Sequence, residues 1–411
     1  MKPTIAVLAT LDTKGPETAY LRDRLRDLGL AALVIDCGIL EPPLDIVPDV
    51  SSDDVAQHSG ASIDQLRQSG TRGRAVEAMR TLLADFVEHL HSEGRIAGAI
   101  GIGGAEGAVM TAHALMRLPV GVPKVVISPI ASGRHQFGPL VGTRDMMVVH
   151  SVVDILGLNR VSRAIFDNVT AAVAGMVEQG RGKGCEPDSA DHTVAVTMLG
   201  NTTRAVMAIR DELAVAGFTT MVFHSNGVGG PAMEELAGEG YFRGVIDFTT
   251  NEVTDPLVGG IHDGGPDRLR VIGELGLPQV VVPGCIDFAV FEPSQIPPAL
   301  VDRPSYDHNP EFRLIRTSPR DMLTIAGVFA ERLSAAKGPI RVAIPTGGLS
   351  IPNVPDGAFW DPKADAGFRD LLREKLRDDI PLSTHDHHVN DPEFGRLVAR
   401  LFLDLIQEAP A

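Results

Sequence analysis

The sequence predicts an α/β protein of two similar domains, each a mostly parallel β-sheet with helices on both faces. Three observations lead there. Continuous β-branched apolar runs, such as 4–9, 96–101, 124–130 and 193–199, have the pattern of strands buried on both faces. Amphipathic stretches between such runs are long enough for the helices that right-handed βαβ crossovers need. The opening motif also returns halfway along the chain. Residues 4–36, TIAVLATLDTKGPETAYLRDRLRDLGLAALVID, and 193–224, TVAVTMLGNTTRAVMAIRDELAVAGFTTMVFH, both pass from an apolar strand through a Thr-containing turn. Both continue with a helix carrying Arg-Asp-x-Leu, then Gly29 or Gly217, then a second strand.

The elements follow in order. Strands are expected at 4–9, 31–37, 96–101, 124–130 and 145–150, with helices near 16–28, 73–93, 106–117 and 159–178. The polar, Gly-rich stretch 178–192, EQGRGKGCEPDSADH, reads as a linker, giving domains over 1–180 and 190–411. In the second domain strands are expected near 193–199, 219–224, 243–248, 279–284, 340–345 and 381–385. Helices fill 203–216, 230–238, 266–275, 319–336, 363–378 and 391–407. A length of 411 residues exceeds one ordinary core, in keeping with two domains. The 43 glycines and 29 prolines fall singly between apolar runs, as turn punctuation rather than low complexity.

Charge and cysteine content exclude several classes. A formal net charge of -16 repels phosphate backbones and argues against a nucleic-acid groove, while leaving room for a local phosphate pocket. Cys37, Cys185 and Cys285 are odd in number and far apart, so neither a disulfide framework nor a zinc knuckle is expected. The first apolar stretch is one strand long and is interrupted by Asp12 and Lys14, unlike a signal peptide. No run approaches the ~18 apolar residues of a membrane span. The expectation is a soluble, cytoplasmic protein that meets neither membrane nor nucleic acid.

Four turns stand at expected strand ends, where open parallel sheets collect ligands. They are Thr10-Leu11-Asp12-Thr13-Lys14, Gly101–Gly107, Ser128–Arg134 and Asn226–Gly230. Glycine lets a phosphate approach the backbone, and free helix N-terminal amides point at it. Lys14 and Arg134 add charge, and Asp12 suits a Mg²⁺ carried by a polyphosphate. None of the four is a P-loop or a strict dinucleotide fingerprint. Close packing of a helix on a strand demands glycine equally well.

The second domain concentrates unusual polar residues. The run Ser383–Asp391 holds His385, His387 and His388, and Asp391-Pro392 reads as a helix cap followed by its first residue. Alternation along an extended segment puts His385 and His387 on one face, suited to a divalent metal or to acid–base work. Solvated loop and capping roles explain the same residues. Further candidates are His224, Glu252, Asp255, His262, Asp263, Cys285, Asp287 and His308. Met110, Met116, Met146, Met147 and Trp360 read as core or turn packing.

Taken together, TLDTKGPE, GIGGAEG, PKVVISPIASG, MVFHSNGVGGPAMEEL, DFTTNEVTDPLVGG and HHVNDPEF resemble the bacterial and plant uncharacterised protein family 0261. The ATP-binding domain of a tomato tobamovirus-resistance protein belongs to that family. The likeness runs from residue 8 to about 394. It implies two Rossmann-like domains, self-association into a homo-oligomer, and binding of ATP with Mg²⁺. In other chains this domain is joined to, or encoded beside, a TIM-barrel partner resembling phosphoenolpyruvate-using enzymes, which implies small-molecule metabolism. Carried over motif by motif, the nucleotide-binding residues are Asp12, Thr13 and Lys14; Gly103, Gly104 and Gly107; Ser132 and Gly133; and Gly227, Gly229 and Gly230. Asn353 stands where an Asp is usual, and 284–292, GCIDFAVFE, matches loosely. The leading expectation is an ATP-binding protein whose second domain holds a small organic or sugar acid. The alternatives are a metal-dependent lyase or hydrolase using His385, His387 and Asp287, and a non-catalytic regulator stabilised by ATP.

Overall fold

A computed structural model describes residues 2–39, 46–68, 71–131, 140–180 and 192–408. Ser132, Gly133 and Arg134 lie outside the described residues, as do Cys185 and most of the expected linker. The chain divides into two compact units, Met1–Glu186 and Pro187–Ala411. Both are α/β units built on parallel sheets flanked by helices.

The first unit runs β1 (Thr4–Ala9), α1 (Leu11–Asp27), β2 (Ala31–Asp36), α2 (Ser52–His58), α3 (Ile63–Arg67) and α4 (Arg72–Ser92). It continues with β3 (Gly98–Ile102), α5 (Ala105–Leu115), β4 (Lys124–Ser128), β5 (Met147–His150) and α6 (Arg160–Gly180). All pairings are parallel, in the order β2-β1-β3-β4-β5. Alternate residues of β1 feed two cores. Ala6 and Leu8 pack with residues of α4 and α5, and Ile5 and Val7 with residues of α1 and α6. Burial on both faces is why the strand reads as unbroken hydrophobic sequence. The short capped helices α2 and α3 were not expected; Ser51 and Ser62 each close a capping box with the residue three positions on.

The second unit runs β6 (Thr193–Met198), α7 (Thr203–Val215), β7 (Thr219–His224), α8 (Gly229–Gly238), β8 (Gly244–Thr249), α9 (Asn251–Val258), α10 (Val271–Glu274) and β9 (Gln279–Gly284). There follow β10 (Phe288–Phe291), β11 (Ser305–Asp307), β12 (Arg313–Arg316), α11 (Pro319–Ser334), β13 (Ile340–Pro345), α12 (Pro362–Lys375), β14 (Leu382–His385) and α13 (Pro392–Glu408). Its main sheet is parallel, ordered β14-β13-β9-β8-β6-β7. Residues of α7 and α13 share one core, and those of α11 and α12 another.

The repeated opening motif folds the same way twice. Gly29 and Gly217 both take φ +85°, the left-handed conformation that glycine adopts without strain. Each ends its helix with a six-residue return: Leu30 N–H donates to Leu25 O at 3.1 Å, and Phe218 N–H to Leu213 O at 2.9 Å. The acceptor in each is the leucine that ends Arg-Asp-x-Leu.

Two expectations need correction. The helix expected over 266–275 shrinks to Val271–Glu274, because Arg268 is drawn wholly inside and Leu269 turns to φ +76°. A three-stranded antiparallel sheet, β10-β12-β11, was not expected at all. It occupies the stretch that includes GCIDFAVFE.

Candidate functional site

In each parallel sheet the chain leaves the first strand in one direction and later returns on its other side. The resulting switch points lie between β1 and β3 and between β6 and β8. Crevices at such points are where open α/β sheets bind ligands. Each unit has a cavity at the carboxyl end of its first strand, β1 or β6.

The first cavity holds about 390 Å³. Thr10, Asp12, Thr13 and Lys14 reach it from the turn after β1, Cys37 and Ile39 from beyond β2, and Gly104 to Gly107 from the start of α5. Val76 and Met110 complete an apolar wall that sequence reasoning missed, Met110 having read simply as core. Lys14 departs from helical geometry at φ -123°, ψ 22°, so residues 11–14 form a separate turn before Pro16 opens the long run of α1. That break is what presents three consecutive polar side chains to the cavity.

The glycines of the second turn do two different jobs. A Cβ on Gly103 would stand 2.6 Å from Ala108 N and from Gly107 C, so this glycine lets α5 close onto β3. Around Gly104 nothing lies within 4 Å of such a Cβ, and at Gly107 the nearest atom is Thr10 Oγ1 at 3.7 Å. These two positions are open. Gly104 stands at the N-cap of α5 with no side-chain hydrogen bond, and the N-terminal turn of that helix faces the cavity. Beneath the cavity Asp36 takes Leu11 N–H at 3.0 Å and Gly38 N–H at 2.8 Å through one carboxylate oxygen. Burial pushes its pKa up, those two amides pull it back, and the charge of Asp12 adds to the rise.

In the second unit the fourth Gly-rich turn contacts an internal carboxylate. Glu252 Oε1 accepts from Gly227 N–H at 2.8 Å and from Gly230 N–H at 3.1 Å. Arg268, fully buried, donates to Glu252 at 2.7 Å, to both carboxylate oxygens of Asp247 at 2.6 and 2.7 Å, and to Glu234 at 3.3 Å. Burial raises Glu234 to about 7 against the pull of Arg268. Gly229 has its own steric reason: a Cβ there would collide with the His224 carbonyl, standing 2.7 Å from its carbon and closer still to its oxygen.

The three candidate catalytic residues of the second unit sit apart from its cavity. Asp287 is wholly buried, with Oδ2 accepting from Ser350 Oγ at 2.6 Å, and burial raises its pKa against the pull of Arg316. His385 pairs with Ser383 Oγ at 2.8 Å and His387 with Asp391 at 3.0 Å, and both rings lie against Phe394. Among the described residues no group of three His, Cys, Asp or Glu is placed to hold a metal ion. Asn353 donates its amide to Asp365 at 2.9 Å. An Asp there would set a second carboxylate beside Asp365, whose pKa burial already lifts to about 6 against the pull of Arg316.

The cavity itself holds about 400 Å³ and is lined by His224, His262 and His308 together with residues of β10 and the β11–β12 turn. Behind it, buried Asp255 accepts His262 N–H at 2.8 Å and Val290 N–H at 3.2 Å through a single oxygen. Burial, only partly offset by those amides, pushes Asp255 up to about 8. The folded state therefore keeps a proton that the unfolded chain gives up near pH 4. A stability contribution present at low pH is thus lost as pH rises from ~4 to ~8. Asp255→Asn is expected to flatten this part of the urea-midpoint profile, and an unchanged profile would refute the assignment.

Comparison with known proteins agrees with this two-unit organisation. Residues 3–181 match the N-terminal domain, and residues 191–406 the C-terminal domain, of the uncharacterised protein family UPF0261. A UPF0261 protein of Clostridium tetani is 35% identical over 410 residues, covering 99% of this chain and 100% of that one. Another, from Mesorhizobium japonicum, is 36% identical over 409 residues and covers 98% of both. The ToMV resistance protein Tm-1(GCR237) of Solanum lycopersicum is 33% identical over 425 residues, covering 98% of this chain but 56% of the tomato protein. With both of its units matched over nearly their whole length, the chain belongs to the UPF0261 family.

Proposed function

We propose that the chain binds Mg-ATP in the cavity of the first unit and acts in small-molecule metabolism, with a small organic acid as ligand of the second unit. One observation carries the nucleotide reading: a helix N-terminus, a lysine and a carboxylate converge on a single cavity at a switch point. Its volume of about 390 Å³ lies within the range of small-molecule sites. In this reading the α5 amides and Lys14 hold phosphate oxygens, and Ile39, Val76 and Met110 take the base. Asp12, with Asp36 behind it, makes the site too acidic for a bare polyphosphate, so the anion enters with Mg²⁺ bound to Asp12. Free, buried Cys37 and Cys285 fit a reducing, cytoplasmic setting.

Ligand at ~100 times its Kd adds about 2.7 kcal/mol to the folded state, so Mg-ATP is expected to raise the melting temperature. NAD⁺ at equal concentration is not. Asp12→Asn keeps the size and removes the charge, and is expected to weaken Mg-ATP at least tenfold, about 1.4 kcal/mol, by titration calorimetry. No thermal shift at millimolar Mg-ATP would refute the reading. Turnover of the bound nucleotide, followed as phosphate release, separates an enzyme from an ATP-stabilised regulator.

A further inference from the structure

The second unit's cavity has a one-sided chemistry. Its polar lining is three histidines, His224, His262 and His308, and three asparagines, Asn201, Asn226 and Asn309. Among the described residues no carboxylate lines it.

Each asparagine turns its carbonyl oxygen to the chain's own backbone amides. Asn201 Oδ1 accepts from Ile351 N–H at 3.1 Å, and Asn226 Oδ1 from Val228 N–H at 3.3 Å. Asn309 Oδ1 accepts from Glu311 N–H at 2.9 Å and Phe312 N–H at 2.7 Å. The NH₂ group of each can only donate. His262 is committed in the same sense. Its Nδ1 faces the Asn251 amide nitrogen at 3.3 Å and accepts there, so the neutral ring carries its proton on Nε2. Burial, with His224 and His308 near by, lowers its pKa to about 4, the response of imidazoles gathered without a counter-ion. The other walls are apolar, with Phe288 and Val290 from β10 and Leu314 from β12.

We infer that this cavity binds a small organic anion, its carboxylate held by the asparagine NH₂ and histidine N–H donors and its hydrocarbon body against Phe288, Val290 and Leu314. This rests on the acid-binding half of the proposed function and gives it a place and a ligand class. A metal ion is the wrong guest, because among the described residues no group of three His, Cys, Asp or Glu is placed to hold one.

The test uses the full chain and three probes, succinate, 2-oxoglutarate and benzoate, each against its amide. At least one carboxylate is expected to bind in calorimetry, and its amide at least tenfold more weakly. His224 and His308 are exposed, so the double variant His224→Ala/His308→Ala should keep its urea midpoint. Carboxylate affinity in that variant should fall at least tenfold, while the Mg-ATP thermal shift stays as in the parent. The inference is overturned if no carboxylate binds at ~10 mM, where a site of Kd ~1 mM is nearly filled. Equal affinity for the amides, undiminished binding by the double variant, or tight binding of Zn²⁺ alone that the double variant loses would overturn it too. Loss of the Mg-ATP shift with carboxylate binding intact would count against the nucleotide reading alone.

Discussion

Arg268→Met is expected to destabilise the second unit by about 3–5 kcal/mol, the cost of stripping the partner from buried charges. Three carboxylates, Asp247, Glu252 and Glu234, converge on one fully buried guanidinium. Two of them also organise the backbone. Glu252 holds Gly227 and Gly230, and Glu234 accepts Leu269 N–H at 2.7 Å. Removing the guanidinium therefore leaves these carboxylates buried and unpaired while they still hold the turns at β7 and α10. The loss should appear as a lower urea midpoint, or as insoluble protein if the parent is only marginally stable. Arg268→Lys restores the charge but cannot reach three carboxylates as a planar fork, so it should recover part of the loss. A variant as stable as the parent would mean that the cluster contributes nothing net.

Gly103→Ala and Gly107→Leu, four residues apart, are expected to have opposite effects. The methyl group that Gly103→Ala adds would press on the backbone of Gly107 and Ala108, which cannot move without lifting α5 from β3. Overpacking of this kind costs about 1–3 kcal/mol. At Gly107 the space is open, and a residue better suited to a helix than glycine gains up to ~1 kcal/mol. The leucine side chain would fill the cavity in front of the α5 amides, so Mg-ATP binding should be lost from a protein at least as stable as the parent. Chemical denaturation and calorimetry on the two variants separate the roles. Retention of full Mg-ATP affinity by Gly107→Leu would place the nucleotide elsewhere.

The sequence was most legible where the period of burial is unambiguous. Strands such as β1, β3 and β8, buried on both faces, stand out as apolar runs, and the Gly29 and Gly217 caps announce the helix ends. The short β10–β12 sheet escaped because a four-residue strand such as FAVF is too brief to establish a period. Glycines were legible as glycines but not by role. Gly103, Gly107 and Gly230 look alike in sequence, and only the neighbours of each absent Cβ tell packing from access. The cavity histidines were seen as candidates, whereas their convergence, and the hold of Ile351 on the Asn201 oxygen, depend on contacts between residues far apart in the chain.

The hold of Glu252 on the Gly227–Gly230 turn bears on how many polyphosphates this architecture can accept. A carboxylate tethered within the same fold competes at an effective concentration that a free ligand in solution does not match. The second unit thus carries its own resident anion, a built-in occupant that closes the turn to outside phosphate. In the first unit the corresponding buried carboxylate, Asp36, spends its oxygen one strand away on Leu11 and Gly38. A twice-used architecture is in this way made unequal, with one half self-ligated at its Gly-rich turn, so the proposed function expects one nucleotide per chain in titration calorimetry.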